Sequence, residues 1–443
     1  MSRLPNYAVL DWKLERLPAG ELRALQGARL AAMARYVYEC TPFWRRKFDA
    51  VGLLPQHITS IDELGLIPFC DRRELQQDQA AFPPFGSYVA TDRSRWRHFA
   101  ATSGTTGVPL RRVFSQRDWS YVLDRFQRNP TLGPGDIVMI LGPTDGLIGP
   151  TLAAATAQRL GALVVHAGRY DSRTKIGMIL DLKPTVVTGT ASYLLHLLDV
   201  AAAMRVDLRE AGIRAIASVG EPGAAVAASR ERLAQGWGAQ VRDGFGLTEI
   251  FPLGGSCAHS TALHIASDMA LVEAIDPQTG RQLAAGEAGE LVVSNLVGDT
   301  QPLLRYRTRD VVRFAVEPAC RCGFTGTRLE GGILGRIDDM IWIRGANVFP
   351  LAIENAVRQF KELSSEYQIV VEGDSLPRLT VRAEPLAADL AGSSELESRL
   401  CAAVKAAVGI NARVELVAFG TLPRGHDKAK PRRVLDLRTK ANP

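Results

Sequence analysis

The sequence predicts an α/β fold: a large N-terminal domain with mostly parallel βαβ sheets and a β subdomain, then a small C-terminal α+β domain on a hinge. Three observations support this prediction. The chain has 443 residues, more than a single hydrophobic core usually serves. Short apolar runs alternate with helical stretches between about 130 and 250. After GGILGRIDD a second, shorter series of predicted helices and strands follows, so we expect domains at 1–336 and 337–443.

The central segment has the rhythm of βαβ units. The runs DIVMIL, ALVVHA, TVVTGT and AIASVG are typical of buried strands, and the stretches between them have helical spacing. Residues 1–100 are predicted to be mainly helical, with Ser60 as the N-cap of a short helix. From 263 to 316 the strands follow one another without helices, which indicates an antiparallel β subdomain.

The composition excludes several classes of protein. No apolar run approaches the ~18–20 residues that span a bilayer, and the N-terminus does not resemble a signal peptide, so we expect a cytoplasmic protein that does not bind membranes. The net charge is +6, spread over short runs such as RRV at 111–113. These runs are either solvated surface or part of a mildly positive cleft for an anionic substrate. The pattern of basic and aromatic residues typical of nucleic-acid binding is absent.

A loop rich in hydroxyl groups and glycine carries the first chemical signal. Its backbone N–H groups and hydroxyls suit a polyphosphate, although the order of residues is not that of a Walker A loop. The alternative is an ordinary flexible loop. The candidate ligands are Thr102, Ser103, Gly104, Thr105, Thr106 and Gly107.

The segment DGFGLTE at 243–249 follows an apolar strand and ends in a hydroxyl and a carboxylate. Ligands of open α/β sheets bind at this end of the strands, so Thr248 is predicted to hold a phosphate and Glu249 to ligate Mg²⁺. The alternative is a turn followed by an N-capped helix. In RYRTRD, Asp310 would bind the two hydroxyls of a ribose, or it forms a surface ion pair.

Two further segments lie near the inferred domain boundary and near the C-terminus. GRIDDMI at 335–341 lies where backbone torsions could absorb a domain rotation. The basic segment PRGHDKAK at 423–430 would ordinarily be solvated.

In this order and spacing, the five segments resemble the adenylate-forming superfamily of acyl-CoA synthetases, adenylation domains and luciferases, over roughly 95–435. The chain length, TGTASYLL, RYRTRD and RGANVFP most resemble the phenylacetate–CoA ligase branch. The resemblance implies that ATP activates a small aromatic carboxylic acid as its acyl-adenylate, and that the acyl group is then transferred to coenzyme A. It also implies a homodimer.

The resemblance implies roles for individual residues. Residues 103–107 would wrap the β- and γ-phosphates, Thr248 would contact the α-phosphate, and Lys428 would bond the substrate carboxylate during adenylation. Asp338 matches the hinge. The other implied nucleotide contacts are Thr102, Glu221, Pro222, Asp243, Gly244, Phe245, Gly246, Asp310 and Arg336. The implied acid pocket comprises Asp145, Gly146, Tyr193, Gly220 and Gly246.

Three departures from the family pattern affect these expectations. Asp427 precedes Lys428 where the family usually has glycine, so Lys430 is an alternative catalytic lysine. Val108 stands where many members have lysine. Asp145 would repel a plain arylacetate; it either pairs with an amino or hydroxyl substituent on the ring or caps the following helix.

Cys257, His264, Cys320 and Cys322 form a candidate zinc site at the edge of the β subdomain. Some members of the branch resemble this pattern. Four protein ligands leave no open position for water, so the zinc would be structural. The alternatives are His259 as the histidine ligand, or reduced thiols without a metal.

Two other functions remain open at this point. The acyl group could pass to a carrier-protein thiol, an amine or another nucleophile instead of coenzyme A. The chain could also be a nucleotide-binding scaffold that has lost catalysis, but Thr248, Glu249, Asp310 and Lys428 argue against that.

Overall fold

The fold follows from a computed structural model. It describes residues 4, 7, 11–102, 108–128, 131–317, 319–343, 346–373, 377–423 and 433–438.

The described α-helices begin mostly at side-chain caps. Asp171 and Thr190, for example, accept hydrogen bonds from backbone N–H groups three residues on. None of these helices combines the length and apolar composition that a membrane crossing requires. In chain order they are α1 (Ala19–Cys40), α2 (Pro42–Asp49), α3 (Arg72–Ala81), α4 (Gln116–Gln127), α5 (Ile148–Arg159), α6 (Ser172–Leu182), α7 (Ala191–Ala203), α8 (Ala227–Trp237), α9 (Pro350–Arg358) and α10 (Ser394–Val408).

Short 3₁₀ turns connect several of these elements. Ser60 caps one of them, as predicted, and Glu63 completes its capping box. The turns span Trp12–Arg16, Pro55–His57, Ile61–Leu66, Arg93–Arg95, Leu208–Ala211, Pro222–Ala225, Ile337–Asp339 and Ala388–Leu390.

The strands include the four predicted from the apolar runs between 130 and 220. In chain order they are β1 (Trp96–Ala101), β2 (Arg111–Ser115), β3 (Ile137–Ile140), β4 (Leu163–His166), β5 (Val186–Gly189), β6 (Ala215–Val219), β7 (Gln240–Leu247), β8 (Phe251–Gly255), β9 (Leu263–Ile265), β10 (Ala270–Ile275), β11 (Ala288–Asn295), β12 (Tyr306–Arg313), β13 (Arg328–Leu329), β14 (Gly335–Arg336), β15 (Ile341–Ile343), β16 (Ala346–Val348), β17 (Leu363–Glu372), β18 (Arg378–Pro385), β19 (Arg413–Leu416) and β20 (Val434–Asp436).

The chain forms two compact units, and the first comprises residues 1–166 and 242–332. In it β3 pairs with β4 in parallel, whereas β7, β8, β9 and β13 pair in antiparallel order. The predicted antiparallel β subdomain is confirmed, since β11 pairs with both β10 and β12. Phe114, Trp119 and Phe251 are buried in one apolar cluster of this unit.

The second unit comprises residues 167–241 and 333–443. Its β5 and β6 pair in parallel, with α7 following β5 in the predicted βαβ order. Its C-terminal part is the predicted α+β structure: a sheet in the order β19-β18-β17-β20 beside α9 and α10. The apolar side chains of these elements form one continuous buried core. The fold class is therefore α/β, as predicted; the proposed boundary between 336 and 337 stays a prediction.

Candidate functional site

Thr102 closes the base of the predicted phosphate loop. Its backbone N–H donates to the carbonyl of Leu110 at 3.0 Å, and its hydroxyl accepts from the N–H of Leu110 at 3.0 Å. Arg72 Nη2 also donates to this hydroxyl, at 3.1 Å. The two ends of the loop are thus tied together by one side chain. Ser103, Gly104, Thr105, Thr106 and Gly107 lie outside the described residues.

Asp243, Gly244, Phe245 and Gly246 lie on β7, which turns at Thr248 directly into the antiparallel strand β8. The N-capped helix considered as an alternative is therefore wrong. A Cβ atom on Gly246 would lie 2.6 Å from Cα of Pro252, which is closer than real Cβ contacts. Glycine is thus required here by the close approach of β8, independently of any ligand.

Glu249 is buried in this turn, with 7% of its surface exposed. Its carboxylate accepts a hydrogen bond from the Tyr306 hydroxyl at 3.2 Å. Burial, and then the charge of Glu249, raises the pKa of Tyr306 well above its ordinary value, so the phenol stays protonated and donates. Tyr306 lies within the RYRTRD motif, although the sequence interpretation assigned no role to it.

Two arginines near these residues were not assigned to the site from the sequence. Arg72 is within electrostatic range of Tyr306 and, as noted, donates to Thr102. Arg112 is only 2% exposed, so for this residue the solvated-surface interpretation of RRV is wrong. Its Nη2 donates to the carbonyl of Gln301 at 2.7 Å. Burial lowers the pKa of Arg112, and the charge of Glu249 partly opposes that effect.

Asp310 lies on β12, four positions after Tyr306, and is 3% exposed. The surface ion pair considered as an alternative is therefore wrong. The Asp310 N–H donates to the Thr308 hydroxyl at 3.0 Å, and that hydroxyl donates to the Leu291 carbonyl at 2.9 Å. These bonds fix the backbone of the strand at this position.

Asp145 is exposed and does not cap the next helix. The N-cap of α5 is Leu147, which provides no side-chain hydrogen bond, so the capping alternative is wrong. Gly146 has a φ of +72°, and its carbonyl accepts from the N–H of Ala101 at 3.0 Å. That bond holds the segment beside the end of β1, next to Thr102.

In the second unit, several predicted residues meet where α7 begins. Thr190 caps α7 through the N–H of Tyr193 at 3.4 Å. Glu221 accepts from the N–H of Ser192, and a Cβ on Gly220 would lie 3.7 Å from Cγ2 of Thr190. Pro222 begins the 3₁₀ turn that follows. Lys175, which was not predicted, donates to the Tyr193 hydroxyl at 2.9 Å.

Arg336 and Asp338 form an ion pair with a shortest distance of 3.6 Å. Asp338 is in the 3₁₀ turn after β14, and its side chain is 52% exposed. Lys428 and Lys430 lie outside the described residues.

The four predicted zinc ligands come together in the first unit. The ligand atoms of Cys257, His264, Cys320 and Cys322 all lie within 4.8 Å of one another. The sulfurs of Cys257 and Cys320 are 3.7 Å apart, whereas tetrahedral Zn–S bonds place two sulfurs ~3.8 Å apart. The ring of His264 stacks on Phe324 with centroids 4.4 Å apart.

The protonation state of His264 suits a metal ligand. Burial lowers the pKa of His264 to about 4, so the imidazole is neutral and keeps a lone pair. Burial by itself would raise the pKa of Cys320, but hydrogen bonds from the backbone and from neighbouring thiols lower it. Three thiols and one neutral imidazole form a set of four ligands that fits zinc.

Two segments of the chain match known protein families. Residues 99–296 match the AMP-binding enzyme family, and residues 345–438 match the AMP-binding enzyme C-terminal domain.

Similar proteins cover nearly the whole chain. The phenylacetate-coenzyme A ligase of Thermus thermophilus is 33% identical over 96% of this chain and 99% of its own. That of Escherichia coli is 31% identical over 96% of this chain and 97% of its own. A crystal structure of 2-hydroxyisobutyryl-CoA ligase in the postadenylation state has a TM-score of 0.90 and 30% identity, covering 98% and 94% of the two chains. The chain therefore belongs to the AMP-binding enzyme family, in the group of the phenylacetate–coenzyme A ligases, which are AMP-forming acid–CoA ligases.

Proposed function

We propose that this enzyme uses ATP to activate a small aromatic carboxylic acid as its acyl-adenylate and then transfers the acyl group to coenzyme A. The observation that carries the proposal is a pair of hydrogen bonds, from Arg72 to Thr102 and from Tyr306 to the buried Glu249, with Arg72 in electrostatic range of Tyr306. The base of the predicted phosphate loop and the predicted Mg²⁺ ligand therefore belong to the same compact unit.

The chemistry requires control of negative charge. The carboxylate of the acid attacks the α-phosphorus of ATP, and the two anions repel each other. Thr248 would contact the α-phosphate, and Thr102 with residues 103–107 would bind the β- and γ-phosphates. Glu249 would hold Mg²⁺, whose charge would reduce this repulsion. Tyr306 would keep the Glu249 carboxylate oriented through its hydrogen bond.

The remaining assignments rest on the match to the family's motifs. Asp310 would bind the ribose hydroxyls and Lys428 would neutralise the reacting carboxylate and phosphate. The segment after Asp338 would then turn to admit coenzyme A. We assign Glu221, Pro222, Asp243, Gly244, Phe245, Gly246 and Arg336 to nucleotide binding, and Asp145, Gly146, Tyr193 and Gly220 to binding of the acid.

An aromatic acid is supported by the relatives that are named for phenylacetate. The exposed carboxylate of Asp145 favours a ring with an amino or hydroxyl substituent over an unsubstituted ring, because a donor on the ring would pair with the charge.

The test is acid-dependent release of pyrophosphate from ATP and Mg²⁺, measured with and without coenzyme A. The panel comprises phenylacetate and benzoate with their amino and hydroxy derivatives. Acid-dependent release, with acyl-CoA formed only when coenzyme A is present, is expected. Release without acyl-CoA would overturn the proposed acceptor, and absence of release from every acid would overturn the proposed substrate class.

Glu249→Gln tests the role of the buried carboxylate. It keeps an oxygen for Tyr306 but removes the charge, so kcat for pyrophosphate release should fall about 100-fold or more. Glu395→Gln, at an exposed position in the first turn of α10, is the matched control and should retain activity. Activity of Glu249→Gln within threefold of the unmodified enzyme would contradict the Mg²⁺ assignment.

We also propose that Cys257, His264, Cys320 and Cys322 bind one structural zinc ion. The support is the convergence of their four ligand atoms and the neutral state of the imidazole.

A further inference from the structure

Lys175 is a buried ammonium group in the second unit. It lies in the second turn of α6, and only 4% of its surface is exposed. Its Nζ donates to the Tyr193 hydroxyl at 2.9 Å and lies 4.5 Å from the centre of the Tyr193 ring. The aromatic ring and its hydroxyl are therefore the immediate environment of the charge.

Within the described chain, no carboxylate pairs with this ammonium. The nearest acid along the helix, Asp171, is committed to the N-cap, where it accepts from the N–H and hydroxyl of Thr174 at 2.8 and 3.0 Å. Asp199, on the neighbouring helix α7, is bound to Arg232 and to the backbone of Ser365. A buried charge without a counter-charge is costly, so a function that uses it is the simplest reason for it.

The ammonium has hydrogen-bonding capacity left over. Lysine carries three N–H donors, and among the residues that the structure describes only the Tyr193 hydroxyl accepts from Lys175. The hydroxyl of Ser172 lies 3.2 Å from the Tyr193 hydroxyl and 3.3 Å from Nε2 of His196. Helices α6 and α7 thus place an ammonium, a phenol and an alcohol side by side, all able to donate to an oxygen atom.

We propose that Lys175, together with Tyr193 and Ser172, binds a second oxygen on the acid substrate, remote from the carboxylate that is activated. The oxygen belongs to a hydroxyl or to a second carboxylate, either of which can accept a hydrogen bond from the ammonium. The proposal rests on the proposed function, in which Tyr193 belongs to the acid pocket. Lys175 then selects substituted acids over phenylacetate itself, because the unsubstituted acid leaves the buried donors unpaired.

The experiment compares five acids: phenylacetate, its 3- and 4-hydroxy derivatives, and its 3- and 4-carboxy derivatives. The quantity measured is the ratio of kcat/KM for a substituted acid to that for phenylacetate. The unmodified enzyme should favour at least one substituted acid tenfold or more. The favoured substituent, hydroxyl or carboxylate, identifies the chemical group that Lys175 binds, and the favoured isomer identifies its position on the ring.

Lys175→Met removes the charge at similar volume. It should lower the ratio for the favoured acid at least fivefold, because the ring substituent loses its charged donor. A smaller fall in the ratio, or no preference in the unmodified enzyme, overturns the proposal. Lys183→Met, at the exposed C-cap of the same helix, is the matched control and should leave the ratio unchanged.

A second variant tests the same site if Lys175→Met fails to fold. Tyr193→Phe removes one hydroxyl and should lower the same ratio in the same direction. If no acid supports pyrophosphate release, calorimetric titration of the acids into the unmodified enzyme and Lys175→Met separates the two proposals. In that case the absence of pyrophosphate release overturns the proposed function, and the binding measurement tests Lys175 separately. Fivefold weaker binding of a substituted acid to Lys175→Met supports the role of Lys175, whereas equal binding overturns that role as well.

Discussion

Charged side chains inside this protein differ in how their charge is compensated. Asp118 accepts hydrogen bonds from the N–H groups of Ser115 and Asp299 at 2.9 and 2.7 Å. Asp299 is equally buried but also pairs with Arg95. Burial, followed by the charge of Asp299, raises the pKa of Asp118 to about 6. Asp118 therefore keeps its proton to a higher pH than an ordinary aspartate does.

This pair should make stability depend on pH. The folded state holds the Asp118 proton more tightly than the unfolded chain, so the contribution is complete below about pH 4 and is lost as pH rises through about 6. The free energy of unfolding should fall by up to roughly 3 kcal/mol over this range. Urea unfolding at pH 4.5 and 7 measures it.

Asp118→Asn is the control for other titrating groups. The amide does not ionise, so the difference in unfolding free energy between the two pH values should be smaller in the variant. An equal difference in both proteins would show that Asp118 does not titrate in this range.

At the scale of secondary-structure elements, strand pairing brings together the four residues of the cysteine cluster. Cys257 follows β8, His264 lies on β9, and Cys320 and Cys322 lie between β12 and β13. Pairing of β13 with β9, at Arg328 and His264, brings the second loop to the first. A metal there would cross-link segments that are more than 50 residues apart in sequence, and so would stabilise the first unit.

Protein purified without a histidine tag should contain about one zinc per chain. Removal by a chelator should lower Tm by roughly 5–10 °C, because loss of a structural zinc costs several kcal/mol. Cys320→Ser should reduce the zinc content, whereas Cys401→Ser, on α10 and away from the cluster, should not. A zinc content below about 0.2 per chain would contradict the site.

At the scale of the whole molecule, one ion pair joins two distant parts of the second unit. Arg232 on α8 binds Asp199 on α7 at 2.7 Å and donates to the carbonyl of Leu363 at 3.0 Å. Asp199 also accepts from the N–H of Ser365 at 2.8 Å. Asp199 and Arg232 thus bind the backbone of the first residues of β17. The contact is buried, since only 8% of the surface of Asp199 is exposed.

Asp199→Ala should destabilise the second unit by about 2–4 kcal/mol, because it removes the carboxylate that pairs with Arg232 and accepts from the N–H of Ser365. Glu362→Ala is the matched control, since its ion pair with Arg399 is 35% and 51% exposed and should contribute less than about 1 kcal/mol. Denaturant unfolding compares the two. Equal losses of stability would contradict the importance of the buried contact.

The motifs that predict a catalytic site could be recognised in the sequence because each one is a contiguous stretch of residues. The hydroxyl-rich loop, DGFGLTE and RYRTRD are contiguous, and Glu249 and Asp310 proved to be buried polar residues of the first unit. Tyr306 is part of the RYRTRD motif, but its hydrogen bond to Glu249 joins residues 57 positions apart in sequence, so the motif did not reveal it. Arg72 and Arg112 carried no signal at all, because an arginine in a short basic run looks the same whether it is buried or solvated.

The order of helices and strands, the caps and the class of fold follow from periodicity and turn chemistry, which act over a few residues. The sequence was therefore sufficient for these features and for membership of the family. The burial of Arg112, the contact of Lys175 with Tyr193, and the approach of the four candidate ligand atoms in the cysteine cluster depend on packing between distant segments. Only the tertiary structure decided them, because the environment of a charge is set by the neighbours that folding brings to it.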